Sequence, residues 1–260
     1  MADQDVVLYQ EDTGIALLTL NRPEALNALD VATLERLSVL LEQVRTSQTV
    51  QGAIITGNGK AFSAGADIRY LNRATPLEVR EFARRAVLVN NSIETLGKIV
   101  VAAINGYAIG GGQELAESCM IRVAAPGSRM GHPEVRIGAM GGFGGTTRLP
   151  RLVGKGRAAE MLLRGRIVTA EEALQIGLVQ HVAAPGELLA EAKAFLCDIL
   201  AHPPAAVQLT WEAIHRGLDL TVEESTLLGA DLFGLVASTE DFRIGTKAFL
   251  DKAAPTYTGK

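Results

Sequence analysis

The first quarter of the chain alternates between short apolar runs and turn residues. Residues 6–9 and 15–20 are apolar runs separated by a turn at residues 12–14, and they predict the two strands of a hairpin. Apolar residues then recur at helical spacing over residues 31–44, and Asp30 stands in front of them as a candidate N-cap. The pattern therefore predicts a hairpin followed by a helix.

The middle of the chain continues this alternation. Buried strands are predicted at 53–56, 99–104 and 120–124, and helices at 78–96 and 114–118. Strand signals stop near residue 155, and a capping box of Thr169 and Glu172 predicts the start of a helix. Further helical runs follow Pro203-Pro204, Thr221 and Ser238-Thr239. We expect an α/β core of repeated strand-strand-helix units over residues 1–195 and a helical region over 196–260.

Composition narrows the class of protein. The 260 residues are 48% hydrophobic and 21% charged, which suits a packed core and argues against wholesale disorder. The net charge of −4 disfavours a general nucleic-acid binder. Two cysteines cannot form a disulfide framework, no apolar stretch reaches 18 uncharged residues, and the acidic start does not resemble a signal peptide. We expect a cytoplasmic protein with no membrane segment.

Several familiar chemical motifs are absent from the sequence. It contains no P-loop pattern, no G-x-G-x-x-G between a strand and a helix, and no G-x-S-x-G nucleophile elbow. Its four histidines, at 132, 181, 202 and 215, lack the spacing of metal ligands, and we expect them to have structural roles or to lie on the surface. The sequence thus predicts neither a metal site nor a bound cofactor.

A first glycine-rich segment lies at residues 105–115, where a strand runs through Gly110, Gly111 and Gly112 into a helix. The free N–H groups at such a helix start carry partial positive charge and can bind a developing oxyanion. Glu114 falls in the first helical turn. A carboxylate is also favoured there for purely structural reasons, so its position alone does not establish a catalytic role.

A second glycine-rich segment, residues 138–145, has five glycines and follows His132-Pro133-Glu134. Such a backbone can turn tightly beside a pocket, although a flexible surface loop is the simpler alternative. Residues 62–68 form a small-residue turn that would let a ligand approach the backbone, or would be an ordinary turn. Glu114 and Glu134 are separated by enough chain to face one site and divide acid and base roles.

The order and spacing of several segments together resemble the enoyl-CoA hydratase/isomerase (crotonase) superfamily over nearly the whole chain. The segments are 20–23 (Leu-Asn-Arg-Pro), 26–29 (Leu-Asn-Ala-Leu), 64–67 (Ala-Gly-Ala-Asp), 105–115, 133–134 (Pro-Glu), 144–146 (Gly-Gly-Thr) and 148–149 (Arg-Leu). The resemblance implies a crotonase-like (ClpP/crotonase) spiral of β-β-α units with a C-terminal helical trimerisation region. It also implies a homotrimer or a hexamer made of two trimers.

The resemblance assigns roles to particular residues. The N–H groups of Ala66 and Gly111 would form an oxyanion hole for the thioester carbonyl, with Glu114 as base and Glu134 as proton donor. Basic side chains would have to offset the acidic net charge near the CoA phosphates. The residues expected at the substrate are Ala64, Ala66, Asp67, Ile68, Arg69, Arg22, Ala25, Leu26, Gly110, Pro133, Gly141, Phe249 and Lys252.

The expected function is therefore a 2-enoyl-CoA hydratase that needs no cofactor, coenzyme A being part of the substrate. An enoyl-CoA isomerase or a cyclic dienoyl-CoA hydratase would be alternatives with related chemistry. A non-catalytic RNA-binding homologue is a further alternative that the acidic charge disfavours. Gly141 stands where the family commonly has Pro, near the acyl end of the site, so the sequence leaves the acyl group open.

Overall fold

A computed structural model describes residues 6–260 of the chain. The chain divides into two compact units, the first ending at Lys193 and the second comprising Ala194–Lys260. The first unit contains two sheets and the helices between their strands. The second unit is helical, and each unit is described separately below.

The larger sheet forms the centre of the first unit. Its six strands run in the order β1 (Val7–Asp12), β2 (Ile15–Leu20), β3 (Gly52–Gly57), β5 (Ile99–Ile104), β7 (Ile121–Ala124) and β10 (His181–Val182). The predicted hairpin is confirmed, because β1 and β2 pair antiparallel around the turn. The remaining neighbours are parallel. Every residue of β3 and β5 is buried, as expected for strands covered on both faces.

The smaller sheet has four short strands in the order β4 (Ala61–Ser63), β6 (Tyr107–Ile109), β8 (Arg129–Gly131) and β9 (Ile167–Thr169). Strands β4, β6 and β8 each follow a strand of the larger sheet along the chain, and they pair parallel to one another. The expected strand-strand-helix repeat is thereby confirmed. Because β4, β6 and β8 are parallel, the loops that follow them all begin at the same edge of the smaller sheet.

Helices fill the intervals between the strands. In the first unit they are α1 (Val31–Thr46), α2 (Ile68–Arg73), α3 (Pro76–Glu94), α4 (Gly111–Ser118), α5 (Gly145–Val153), α6 (Lys155–Arg164) and α7 (Ala170–Gln175), with short 3-10 helices at Pro23–Ala25 and Glu134–Ile137. Helix α8 (Leu188–Leu200) crosses the division between the units. The second unit contains α9 (Pro204–Gly217), α10 (Val222–Ala237) and α11 (Glu240–Asp251).

The helix starts follow from local side-chain chemistry. The Asp30 carboxylate accepts a hydrogen bond from the Thr33 N–H and begins α1, as predicted. Helix α3 begins two residues before the predicted start, because Thr75 and Glu78 form a reciprocal capping box. At α7 only half of the predicted box is present. Thr169 accepts from the N–H of Glu172, whose carboxylate pairs with Arg166 at 2.6 Å instead.

The expectation that strands stop near residue 155 is wrong. Strand β9 adds antiparallel to β8, and β10 adds parallel to β7. These strands have three and two residues, too few to show a period of two, and only pairing with a sheet edge defines them. Helices α5 and α6, which follow the second glycine-rich segment, were also absent from the sequence-based prediction.

Two of the three helices of the second unit, α10 and α11, begin at polar N-caps. Helices α9 and α10 pack on each other, and Thr221 forms a capping box with Glu224 at the start of α10. Thr239 caps α11. No helix within residues 6–260 has both the length and the apolar composition needed to cross a membrane.

Candidate active site

A cavity of about 680 Å³ in the first unit contains both predicted catalytic glutamates, a volume suited to a small-molecule site. Its apolar wall comes from α2, α3 and the segment after β8. The predicted residues that line it are Ala64, Ala66, Ile68, Gly110, Gly111, Glu114, Pro133 and Glu134. The repeats therefore bring together residues that are up to 70 positions apart in sequence.

The backbone N–H groups of Ala66 and Gly111 lie close together at this cavity. A Cβ atom at Gly111 would be 3.3 Å from the nitrogen of Ala66, and one at Gly65 would be 3.0 Å from the nitrogen of Gly111. Within the described residues neither N–H group has a backbone acceptor. Gly111 is the first residue of α4, where the helix itself offers none. The two N–H groups can therefore donate to a ligand.

Two glycines with positive φ shape the chain at this point. Gly65 has φ +92° and Gly110 has φ +53°, both in the region that side chains with a Cβ rarely adopt. A Cβ at Gly65 would come within 2.6 Å of the Ile109 carbonyl oxygen. The β4 and β6 loops can thus approach closely only because this residue is glycine.

Glu114 is buried, with 1% of its surface exposed. Its Oε1 atom accepts hydrogen bonds from the N–H groups of Phe143 at 2.9 Å and Gly145 at 2.7 Å. Burial raises the pKa of Glu114 to about 7, although these N–H groups and nearby His132 favour the ionised form. A carboxylate that is half ionised near neutral pH suits acid–base chemistry.

The Phe143 segment is held in place from two other elements. Asn90 of α3 donates to the Phe143 carbonyl oxygen at 3.0 Å, and Arg148 of α5 donates to the same oxygen at 3.2 Å. Arg148 is itself fixed by the Glu94 carboxylate. The Phe143 ring packs edge-on against Phe82, with centroids 5.4 Å apart. These contacts aim the N–H of Phe143 at Glu114.

Glu134 faces the same small volume as Glu114. A Cβ atom at Gly141 would be 3.1 Å from Oε1 of Glu114 and 3.8 Å from Oε1 of Glu134. Both carboxylate oxygens of Glu134 are buried, and neither has a hydrogen-bond partner among the described residues. The two carboxylates can therefore act on one small molecule placed between them.

Behind Glu134 lies His132, which the sequence-based prediction treated as structural or superficial. It is buried, and its Nε2 atom is 2.8 Å from Oε1 of Glu117. Its Nδ1 atom is 3.6 Å from Oε1 of Glu134. Burial alone would lower the pKa of His132, but the Glu117 and Glu134 carboxylates together outweigh burial and raise it to about 10. One sequence signal pointed towards this cluster. Glu114 and Glu117 are three residues apart, which places both carboxylates on one face of a helix, where a buried cation is needed beside them.

Two of the polar residues predicted to meet the substrate, Arg22 and Asp67, pair with each other. Arg22 pairs with Asp30 at 3.0 Å and with Asp67 at 3.3 Å, and it donates to the Ala28 carbonyl oxygen. These bonds brace the loop that leads into the site. Asp67 and Arg69 line a separate polar cleft outside the main cavity. For Arg22, Asp67 and Arg69, a contact with CoA stays a prediction.

The remaining predicted residues fall into two groups. Ala25 is the last residue of the short 3-10 helix Pro23–Ala25. Leu26 comes next, and its carbonyl oxygen accepts a hydrogen bond from the Ala64 N–H. Phe249 and Lys252 belong to the second unit, where Phe249 lies in α11, largely exposed, and Lys252 caps that helix. Their proposed contacts with substrate stay predictions. In residues 6–260 no group of three or more His, Cys, Asp or Glu side chains could hold a metal ion.

Comparisons with known proteins agree on one family. Residues 10–260 match the model of the family described as enoyl-CoA hydratase/isomerase. A crotonyl-CoA hydratase of Syntrophomonas wolfei is 41% identical, with all of both chains covered, and a short-chain-enoyl-CoA hydratase of Clostridium acetobutylicum is 40% identical over 95% of each chain. The crystal structure of an enoyl-CoA hydratase from Bacillus anthracis has a TM-score of 0.93 at 35% identity, covering 98% of this chain and 100% of that one.

Proposed function

Because this chain belongs to the enoyl-CoA hydratase/isomerase family, we propose that it is an enoyl-CoA hydratase, which adds water across the 2,3 double bond of an acyl-CoA thioester. One observation carries this proposal. Two buried carboxylates, those of Glu114 and Glu134, face one small volume beside the two N–H groups of Ala66 and Gly111. A pair of carboxylates suits the addition of water, which needs a base and an acid on one substrate.

The N–H groups of Ala66 and Gly111 would stabilise charge on the substrate. When water attacks the β-carbon, the π electrons of the double bond shift towards the thioester oxygen, which becomes enolate-like. Two fixed donors at that oxygen lower the barrier, since removing one such donor typically costs about 10²–10³ in rate. Both N–H groups belong to backbone that packing holds rigid, so little reorganisation is needed during the reaction.

The two glutamates would divide the proton transfers. The Glu114 carboxylate takes a proton from water as the water oxygen bonds to the β-carbon, and protonated Glu134 gives its proton to the α-carbon. The reverse steps dehydrate the 3-hydroxyacyl product. Exchange with solvent water then restores the starting protonation of both residues. This scheme uses only side chains, backbone and water, so we propose that the enzyme works without a cofactor.

We propose a short, linear 2-enoyl-CoA as substrate. Support comes from the names of the two relatives, crotonyl-CoA hydratase and short-chain-enoyl-CoA hydratase, which match nearly the whole chain. The cavity wall near the glutamates is apolar, as an acyl chain requires. A role in fatty-acid β-oxidation and a cytoplasmic location remain predictions.

Turnover of crotonyl-CoA by the wild type and two variants tests the proposal. Glu114→Gln and Glu134→Gln keep the shape of each side chain but remove its proton chemistry. Each is expected to lower kcat for hydration by at least about 10²-fold. The loss of the double-bond absorbance of crotonyl-CoA measures the rate directly.

A matched control is Glu81→Gln, because Glu81 is an exposed residue of α3 whose one ion-pair partner among residues 6–260 is neighbouring Arg80. This variant should keep wild-type kcat. A wild type that binds crotonyl-CoA without hydrating it would contradict the proposed function. Near-wild-type rates for Glu114→Gln or Glu134→Gln would contradict the role given to that glutamate.

We also propose that the chain assembles into homotrimers, which can pair into hexamers. The second unit supports this proposal with several large apolar side chains that are mostly exposed in the single chain: Val222, Phe233, Phe249 and Leu250. Sedimentation velocity should therefore give a mass of about three or six chains. A monomer at micromolar concentration would contradict this assembly.

A further inference from the structure

The buried side of the candidate active site holds more carboxylates than the proposed reaction uses. Glu114 and Glu117 lie three residues apart on α4, and Glu134 reaches the same region from the segment after β8. Taken as whole residues, backbone included, Glu114 and Glu117 have 1% and 3% of their surface exposed. Three carboxylates this close cannot all ionise without a nearby positive charge, because burial and mutual repulsion both oppose ionisation.

His132 is the cation in position to compensate them. Its Nε2 atom lies 2.8 Å from Glu117, its Nδ1 atom lies 3.6 Å from Glu134, and the side chains of His132 and Glu117 have no exposed surface. Its ring also approaches Glu114, since a Cβ at Gly145 would be 2.6 Å from the His132 Cε1 and 3.0 Å from Oε1 of Glu114. One imidazole thus faces all three carboxylates.

Other charged and titratable groups lie near this cluster, and two of them, Arg136 and Lys155, line cavities that Glu134 also lines. Arg122 of β7 is a second buried cation whose charge attracts Glu117, but its N–H groups donate to the carbonyl oxygens of Cys119 and Leu178 and not to a carboxylate. Burial raises the pKa of the Cys119 thiol to about 12, so it carries no charge at neutral pH. Gln113 donates a hydrogen bond to Glu117 at 3.2 Å but brings no charge. His132 is therefore the cation that pairs with Glu134 and whose charge acts on Glu114.

We propose that His132 is a positioning residue: as an imidazolium held by Glu117, it keeps one carboxylate of the Glu114/Glu134 pair ionised at neutral pH. The inference rests on the proposed function and adds two residues to it. His132 does not have to touch the substrate. Its charge determines how many protons the catalytic pair holds when the substrate arrives, and without that charge the pair takes up one more proton.

The pH dependence of hydration tests this role with the variant His132→Gln. Removing a cation makes a nearby carboxylate harder to ionise, so the acid limb of the pH–kcat profile should move to higher pH. We expect a shift of at least about one pH unit, with kcat near pH 6 lowered about tenfold or more and kcat near pH 9 within a few-fold of wild type. KM for crotonyl-CoA should change little.

A purely structural role would give a different result. It would lower kcat by the same factor at every pH, and an acid limb at the wild-type position would overturn the proposal. Ser118→Ala is the matched control, because Ser118 is buried on the same helix and donates only to the Leu115 carbonyl oxygen. Its acid limb should coincide with that of the wild type.

A second variant keeps the test decisive if His132→Gln fails to fold with Glu117 left unpaired. The double variant His132→Gln/Glu117→Gln removes both charges of the buried pair. Its acid limb should also move to higher pH, by less than in the single variant, because the charge of His132 acts on Glu114 more strongly than that of Glu117. An unshifted limb in the folded double variant would overturn the proposal.

The charge of His132 can also be read without any turnover. Nitrogen-15 spectra of the imidazole rings should show His132 doubly protonated at pH 8 in the wild type and neutral in Glu117→Gln, which removes the carboxylate that holds the proton. A neutral His132 in the wild type at pH 8 would overturn the proposal. Because this measurement needs no substrate, it separates failure of this inference from failure of the hydratase proposal.

Discussion

The two glycine-rich segments of the first unit need their glycines for different reasons. The glycines lie at residues 106–112 in the first segment and at 138–145 in the second. At two glycines of the first segment the space of a missing Cβ is filled by main chain. A Cβ at Gly106 would lie 2.1 Å from the Lys60 carbonyl oxygen, and one at Gly112 would lie 2.2 Å from that of Ser63. Gly106 and Gly112 are therefore required by backbone packing against backbone, whereas a Cβ at Gly110 or Gly111 would meet the side chain of Glu134 or Phe143.

In the second segment the glycines chiefly leave room for side chains or surround open space. A Cβ at Gly145 would meet His132 and Glu114, and one at Gly141 would crowd the Glu114 carboxylate. In the part of the chain that the structure describes, Gly138 has nothing within 4 Å of such an atom, and at Gly142 the nearest atom is 3.7 Å away. The first segment thus positions the N–H of Gly111, a proposed donor to the substrate oxygen. The second segment leaves room around the carboxylate of Glu114, the proposed base.

The largest expected effect is that of Gly112→Ala in the first segment. The new methyl group would overlap the Ser63 carbonyl oxygen, and neither the β4 strand nor α4 can move without disturbing the other. We expect the free energy of unfolding to fall by about 3 kcal/mol or more. Chemical denaturation measures this change. Gly156→Ala is the matched control, because it is a helical position where no atom of residues 6–260 lies within 4 Å of the new Cβ, and it should leave stability unchanged or slightly higher.

The next effect concerns activity rather than stability. In Gly111→Ala the new Cβ would lie 2.6 Å from the Phe143 ring and would force the N–H of residue 111 or the ring to move. We expect kcat for crotonyl-CoA to fall by about 10²-fold, the typical cost of losing one oxyanion donor. Steady-state kinetics would show it. An alanine variant with wild-type kcat would mean that this N–H does not serve the thioester oxygen.

The smallest effect is expected in the second segment. Gly138 has φ +74° with open space around it, so Gly138→Ala carries only the cost of a left-handed backbone, about 1 kcal/mol in the free energy of unfolding. Gly138→Asn should cost less, because asparagine tolerates this conformation. If Gly138→Ala were as harmful as Gly112→Ala, the contrast drawn between the two segments would fail.

Much of the fold could be predicted from local sequence signals. The spacing of apolar residues and the Asp30 cap gave α1, and apolar runs gave β2, β3 and β5. Strands β9 and β10 could not be predicted, because two or three residues show no periodicity and acquire strand geometry only by pairing. The capping box expected at Thr169 was half wrong, since Arg166 competes for the Glu172 carboxylate.

The candidate site shows the same division. The motifs singled out Glu114, Glu134 and the two N–H groups, because their roles follow from residue type and from position at a strand or helix end. They did not single out His132, whose neighbours Glu117 and Glu134 lie on different elements. They also gave no sign that Arg22 would be held by Asp30 and Asp67.

The sequence by itself determined the family, the α/β class, the helix caps and the candidate catalytic groups, since each depends on short-range spacing or on motifs in a fixed order. Only the tertiary structure decided the electrostatics of the site. Burial raises the pKa of Glu114, and His132, from the segment after β8, pairs with Glu117 of α4. Desolvation and charge pairing depend on distances through space, which the order of residues along the chain does not contain.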